Sequence, residues 1–326
     1  MPTPAVSAAR RHPVRRAQYR MGTVLEIDGT GPLPSSSVEA AVESAFAAVG
    51  RVEDRLSNWL PASELSRANR AAGIAPFPLS PETRESLAAA LALAEETGGT
   101  FDPTVGAVTI AKLVAPSKTR SGNAAAAVLA SIGYRHARLD VARGTVSFES
   151  AGLAIDSGAF GKGEGLDAAA AALRAGGVES ARLNFGGQIL VFGTAAPGGR
   201  AGRYGRVAVA APDPSGRVIC RVVIPDGSLS TSGDAEQPGH LIDPRTGRAA
   251  AFHGSASVFA PSGLRADALS TALFVMGPAD GLVFADGRDI PALFVDASGG
   301  RRASRAWRRL DSWTAAPLAA AKRGIS

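Results

Sequence analysis

In the stretch Leu153-Ala154-Ile155-Asp156-Ser157-Gly158-Ala159-Phe160-Gly161-Lys162-Gly163-Glu164-Gly165, an apolar strand delivers an acid, then small residues, then a lysine at the start of a helix. Glycines let a backbone approach a ligand closely. A helix amino terminus with Lys162 beside it favours an anion such as phosphate. The spacing is not that of a Walker loop, because no Gly-Lys-Ser/Thr follows four residues after a glycine. The same residues also read as a plain glycine-rich strand-to-helix turn with Asp156 capping the helix.

Downstream of this stretch, the helix that starts near Lys162 ends at Gly176-Gly177. Strands are expected at 181–185, 189–192, 206–211, 217–224 and 255–260, then helices at 266–276 and about 279–286, then a strand at 291–295. Upstream, 19–28 alternates as a strand and 29–36 is a Gly/Pro/Ser loop. Val38, Ala41, Val42, Ala45, Phe46, Val49, Val52 and Leu56 keep the 3.6-residue period of an amphipathic helix. Ser80 and Pro81 open another helix that Gly98-Gly99 stops. Phe101-Asp102-Pro103-Thr104 is a turn, Asn123 caps a short helix ending at Gly133, and strands follow at 146–148 and 153–155. Strict βαβ alternation is missing, so the expected fold is α+β with a mixed, largely antiparallel sheet.

The chain has 326 residues, 45% of them apolar and 20% charged, which excludes wholesale disorder and allows one large domain or two small ones. Cys220 stands alone, so no internal disulfide is possible. The net charge of +6 suggests nucleic acid, but its distribution argues otherwise. Residues 1–20 hold five arginines and no acid, residues 301–326 hold six arginines, Lys322 and one acid, and the stretch between is net acidic. The expected division is a disordered basic arm at 1–18, one domain at 19–300 and a basic tail at 301–326. Neither a signal-type apolar segment nor a run of about 18 apolar residues occurs, so a cytoplasmic location without membrane insertion is expected.

Three further constellations can carry chemistry. In Ala266-Asp267-Ala268-Leu269-Ser270-Thr271-Ala272-Leu273, Asp267 and Thr271 lie on one helical face, where two oxygens suit a hard cation such as Mg²⁺. The plainer reading is an acid near a helix start and a threonine bonded to its own backbone. In Ser230-Thr231-Ser232-Gly233-Asp234 the hydroxyls at a glycine turn can bond phosphate, and the nearby His240 is of a residue type that can move a proton or bind a phosphate oxygen. There, His240-Leu241-Ile242-Asp243-Pro244-Arg245-Thr246-Gly247 also reads as an ordinary hairpin turn. Trp59, just after a helix and just before Pro61, either stacks on a flat heterocycle or fills the core. His12, His136 and His253 show no metal spacing, and neither a cysteine cluster nor a Gly-x-Ser-x-Gly elbow occurs.

Taken in order, these segments resemble one family, the ApbE-type flavin transferases (FAD:protein FMN transferases). The resemblance spans about residues 19–296. It rests on Met21-Gly22-Thr23, Ser63-Glu64-Leu65-Ser66-Arg67-Ala68-Asn69, Phe101-Asp102-Pro103-Thr104, the Asp156 to Gly163 loop, Asn184-Phe185-Gly186-Gly187, Thr231-Ser232-Gly233, the His240 to Gly247 segment and Ala266 to Leu273. Each piece alone is weak, and eight in one order are specific. The resemblance implies a T-fold-type architecture and a Mg²⁺-dependent enzyme that takes FMN from FAD. The flavin would join a Ser or Thr of a target flavoprotein through a phosphoester, and AMP would leave. By the same resemblance, the Ala159 carbonyl and the Asp267 and Thr271 side chains hold the metal. Met21, Trp59, Phe101, Asp102, Pro103, Asp156, Lys162, Ser232, His240 and Ile242 fall where FAD is held. Lys162 and Asp267 serve the phosphates in catalysis, and His240 positions or deprotonates the acceptor hydroxyl.

Departures from the family pattern are Ser157-Gly158 where Leu-Gly is common, Trp59 where Tyr is common, and a short 234–239 segment poor in aromatic and basic residues. Many members are exported lipoproteins, whereas no lipidation cysteine stands near this start, so a cytoplasmic target is expected. The same site would also serve a Mg²⁺-dependent FAD pyrophosphatase, or a flavin-binding protein without catalysis.

Overall fold

The computed structural model describes residues 13–109, 132–193, 204–213, 215–235 and 239–312. In chain order the elements are β1 (Val14–Arg20), β2 (Thr23–Thr30), α1 (Ser35–Leu56), α2 (Glu64–Arg70), β3 (Phe77–Pro78), α3 (Pro81–Glu96), β4 (Ala137–Asp140), β5 (Thr145–Phe148), α4 (Gly161–Ala175), β6 (Ser180–Phe185), β7 (Gln188–Phe192), β8 (Arg206–Ala210), β9 (Val218–Val223), β10 (Gly227–Gly233), β11 (Ile242–Asp243), β12 (Arg248–Ala249), β13 (Gly254–Ala260), α5 (Gly263–Gly287), β14 (Ala292–Asp296), β15 (Arg301–Ala303) and β16 (Asp311–Ser312). Among the described residues, one sheet runs β1-β2-β6-β7-β10-β13-β14-β15, and every neighbouring pair is antiparallel. The α+β, antiparallel expectation therefore holds.

The sheet is covered on both faces, and its central strands show it. In β7, Leu190 and Phe192 pack with α1 and α4, while Ile189 and Val191 pack on the small sheet β16-β9-β8. In β14, Ala292 and Phe294 face α5, while Leu293 and Val295 face the small sheet. Such strands read as apolar runs because both faces are buried. The eight apolar positions expected on one face of α1 are all buried: Val38 to Val49 pack against Leu25, Ile27, Leu183 and Phe185 of the sheet, and Val52 and Leu56 join the core beneath α2, α3 and α5. Each large side chain so buried contributes roughly 1.5–3 kcal/mol. α5 is apolar and long enough to cross a membrane by composition, but its apolar residues pack on β10, β13 and α4. Gly277, at φ 73°, and Pro278 kink it, which accounts for the two helices expected there.

Four expectations need correction. The basic arm at 1–18 is part strand: Val14–Arg20 pairs along β2, with Tyr19 opposite Val24. As an edge strand with only Val14 buried, it lacks the apolar alternation that marks a strand in sequence. Met21 and Gly22, both at positive φ, turn the hairpin that splits the expected 19–28 strand. The tail at 301–326 begins as β15, and Trp307 is buried in the core beneath the small sheet. Ser304 is also buried, accepting from the Ala292 amide and donating to the Ile290 carbonyl. The strand at 153–155 is reduced to one parallel bridge, Val105 with Ala154. Its backbone is satisfied by side chains instead: Asn69 bonds both Ile155 amide and carbonyl, and Asn58 bonds the same carbonyl. The helix expected after Asn123 lies outside the described residues.

Candidate functional site

The site forms where the first turn of α4 crosses the first turns of α5. The crossing is close because both helices carry glycine there. A Cβ on Gly163 would stand 2.2 Å from the Gly263 carbonyl oxygen. One turn into α5, Asp267 is 4% exposed. Its Oδ2 accepts the Gly163 N–H at 3.1 Å. Its Oδ1 stands 3.7 Å from the Lys162 ammonium and 3.4 Å from the Ser230 hydroxyl. Alternation along β10 turns Ser230 and Ser232 toward α5 and Leu229 toward the small sheet. The Ser232 hydroxyl lies 2.8 Å from Ser270 Oγ and 3.2 Å from Thr271 Oγ1. Ser270 in turn donates to the Asp267 carbonyl at 2.9 Å. One carboxylate, one ammonium, four hydroxyls and the positive end of a helix thus share one corner.

This donor set fits a hard divalent cation. Among the described residues, no cluster of three His, Cys, Asp or Glu side chains is suited to a metal. Mg²⁺ needs only one or two carboxylates and completes its shell with water and substrate phosphate. Both neighbours of Asp267 Oδ1 stand beyond the usual 2.7–3.2 Å for a strong hydrogen bond, so that oxygen is the one open to a further ligand. Thr271 Oγ1 joins this corner through the Ser232 hydroxyl, and Ala159 stands in the turn that leads into α4.

The other expected site residues surround this corner in different ways. Met21, in the β1–β2 turn, is held by its N–H to Glu53 Oε1 at 3.0 Å. Its methyl lies 3.3 Å from where a Cβ on Gly161 would be, so it rests on the start of α4. Trp59 is 74% exposed, which removes the reading as a core tryptophan. Its neighbour Asn58 is bonded to the Ile155 carbonyl and the Ser157 amide, so the backbone that carries Trp59 is tied to the loop that leads into α4. Asp156 does not cap α4; it accepts from the Gly158 amide at 2.8 Å and from Thr109 Oγ1 at 2.6 Å. The Phe101 ring is 1% exposed and meets Phe160 edge-on, so it supports α4 from within the core. Pro103 accepts the Asp156 amide through its carbonyl. Asp102 is buried, and desolvation pushes its pKa up against hydrogen bonds from Thr104 and Tyr134. It braces its turn and lines a cleft of about 290 Å³ with Tyr134, Pro244 and Arg245. Ile242 is buried in β11, and His240 is exposed on the segment between β10 and β11.

A family model, the ApbE family, matches residues 21–294. The chain belongs to the ApbE family. The FAD:protein FMN transferase of Treponema pallidum (strain Nichols) is 32% identical over 300 residues, covering 82% of this chain and 80% of its own. Flavin transferase ApbE from Vibrio cholerae superposes with a TM-score of 0.77 at 26% identity, over 92% of this chain and 100% of that one. Pseudomonas stutzeri flavinyl transferase ApbE, in its apo form, gives 0.78 at 25% identity, over 92% and 97%. With the family comes the enzyme class: this chain is a transferase.

In this ApbE-family chain, the structure brings together Lys162, Ser232, Asp267 and Thr271 and rests Met21 on the same helix. Reading the sequence named Ser230 among the hydroxyls of its turn without placing it at this corner, and missed Ser270, Glu53 and Asp167. Ser230 stands two residues before Ser232, so strand alternation would have placed it on the same face. Glu53 and Asp167 are ordinary helix acids in sequence, and only tertiary contact singles them out.

Proposed function

We propose that this chain transfers FMN from FAD to a serine or threonine hydroxyl of a target flavoprotein, with Mg²⁺ required and AMP released. The observation that carries this is the corner itself: the buried Asp267 carboxylate with Lys162, the hydroxyls of Ser230, Ser232, Ser270 and Thr271, and the α4 amino terminus. Phosphoryl transfer is mostly positioning and charge stabilisation, and this corner offers both. Lys162 and the α4 dipole give positive potential to a pyrophosphate. Serine hydroxyls orient its oxygens. Trp59 offers an exposed face for a flat ring.

The acceptor oxygen forms a bond to the FMN phosphorus as the bond to the AMP oxygen breaks. Its proton passes to a base, for which exposed His240 is the candidate. Asp267, Thr271 and the Ala159 carbonyl would hold Mg²⁺, which supplies charge neutralisation at the pyrophosphate when bound.

The test incubates the full chain with FAD, Mg²⁺ and a candidate flavoprotein from the same organism. A covalently fluorescent protein band together with AMP supports the proposal. Free FMN and AMP without a labelled protein would replace it with hydrolysis. Asp267→Asn should lower labelling by at least about a hundredfold, the scale of losing one transition-state charge partner, and rates unchanged by that substitution would remove Asp267 from the mechanism.

A further inference from the structure

The helices α4 and α5 cap each other. Asp267 on α5 accepts an N–H from the first turn of α4. Asp167 on α4 returns the bond: its Oδ1 accepts the Gly263 N–H at 2.6 Å and its Oδ2 accepts the Leu264 N–H at 3.0 Å. Between these two bonds the glycine backbones touch, and a Cβ on Gly263 would stand 2.4 Å from the Gly163 carbonyl oxygen. From β7, the buried Gln188 side chain donates to the Gly263 carbonyl at 2.9 Å. Both polar groups of Gly263 are thus held by separate elements.

Asp167 is not needed as a helix cap. Ser262 already caps α5, accepting the Arg265 N–H through its side chain. Burial pushes the Asp167 carboxyl up to about 6, with the Gly263 and Leu264 amides pulling the other way. A second, desolvated acid at a helix start that already has its cap adds a constraint between helices.

We propose that Asp167 is a positioning residue for the cation and pyrophosphate corner: it locks α5 onto α4 so that Asp267 Oδ1 stays aimed at Lys162. The lever is short. Asp267 is one turn from the locked Gly263, and Lys162 precedes the locked Gly163. A shift of the crossing therefore moves carboxylate and ammonium directly apart. This inference rests on the reading of Asp267 as the cation's carboxylate.

The experiment uses the full chain and Mn²⁺ as the probe, with free Mn²⁺ read by electron paramagnetic resonance. Asp167→Asn keeps the shape and loses one of the two acceptors. It should weaken Mn²⁺ affinity about tenfold to a hundredfold, the range for residues that orient a metal ligand. Glu64→Gln is the control for general destabilisation. Glu64 ties Ser80 and Thr83 at the start of α3, away from the corner, and its loss should lower the melting temperature while leaving Mn²⁺ affinity unchanged. Gln188→Leu frees the Gly263 carbonyl and the Ser228 hydroxyl, which the same amide reaches at 3.1 Å, leaves both bonds of Asp167 in place, and should weaken Mn²⁺ binding severalfold, which keeps the test open should Asp167→Asn fail to fold. Affinities within twofold of the parent in the folded variants overturn the inference. So does a parent chain that binds no Mn²⁺. A parent that binds Mn²⁺ but labels no protein overturns the proposed transfer instead, and the affinity ratios still decide the role of Asp167.

Discussion

Asp267 and Trp59, both assigned to the proposed site, have opposite surroundings: Asp267 is buried among polar partners, and Trp59 is left bare. Trp59→Ala should leave stability within about 0.5 kcal/mol, as expected for an exposed side chain. It should weaken FAD binding by about 0.5–1.5 kcal/mol, the worth of a stacked aromatic pair. Quenching of flavin fluorescence reads the second effect and thermal melting the first. Asp167 makes a prediction in pH. Its carboxyl titrates near 6 in the folded chain against an ordinary value of 3.8. A raised acid favours the folded state fully below the ordinary value, and that contribution is lost as pH rises through about 6. The urea midpoint should therefore carry a falling component between about pH 4 and 6.5, and Asp167→Asn should remove that component. Of the residues at the corner, Lys162, Asp267, Thr271 and Ser232 were legible in sequence, because each sits in a motif with a chemical reason. Asp167 was not, because its meaning lies in a contact 96 residues away.

At the scale of elements, the α4–α5 crossing depends on absent side chains. Gly163→Ala would place a methyl 2.2 Å from the Gly263 carbonyl oxygen, and the helices would have to separate. The expected cost is about 1–3 kcal/mol, the usual penalty of overpacking. It should appear as a lower melting temperature together with weaker Mn²⁺ binding. A variant that melts lower but binds Mn²⁺ normally would show that the crossing tolerates separation. Helix α3 was legible because period, cap and stop agree: Ser80 accepts the Thr83 N–H, and Pro81 stands at its first position. Without a side-chain cap, α1 was legible from its apolar period and α4 from its glycine stop. The stretch 153–155 misled for a physical reason. Three apolar residues look like a strand, but the Ile155 amide and carbonyl bond the side chains of Asn58 and Asn69, and only Ala154 keeps a bridge to another strand-like segment. Sequence period reports which residues are buried, not which groups accept their hydrogen bonds.

At the scale of the whole molecule, the described parts of the basic ends, residues 13–20 and 301–312, are built into the fold. β1 pairs along β2 and sets the turn that holds Met21, and β15, Ser304 and Trp307 close the far edge. A chain ending at residue 300 would lose Trp307 from its core and the two bonds of Ser304 to 290–292. It should be destabilised by at least about 3 kcal/mol, the lower bound for removing a buried tryptophan. A large fall in the melting temperature or failure to fold would bear this out, and a melting temperature within a few degrees of the parent would contradict it. The charge split at the ends is still real in sequence, but Arg15 pairs with Glu26 and Arg16 with Glu39, so part of it is spent on the sheet edge. By itself the sequence determined the fold class, the long helices, the family and most of the residues at the corner, because apolar period, turn chemistry and motif order are local properties. Only the tertiary structure decided that Trp59 is bare, that Phe101 is core, that Asp102 and Asp156 bond Tyr134 and Thr109 as well as their own turns, and that Asp167 answers Asp267 across the crossing. Burial and hydrogen-bond partnership are set by whichever distant segment arrives, and one strand or helix does not carry that information alone.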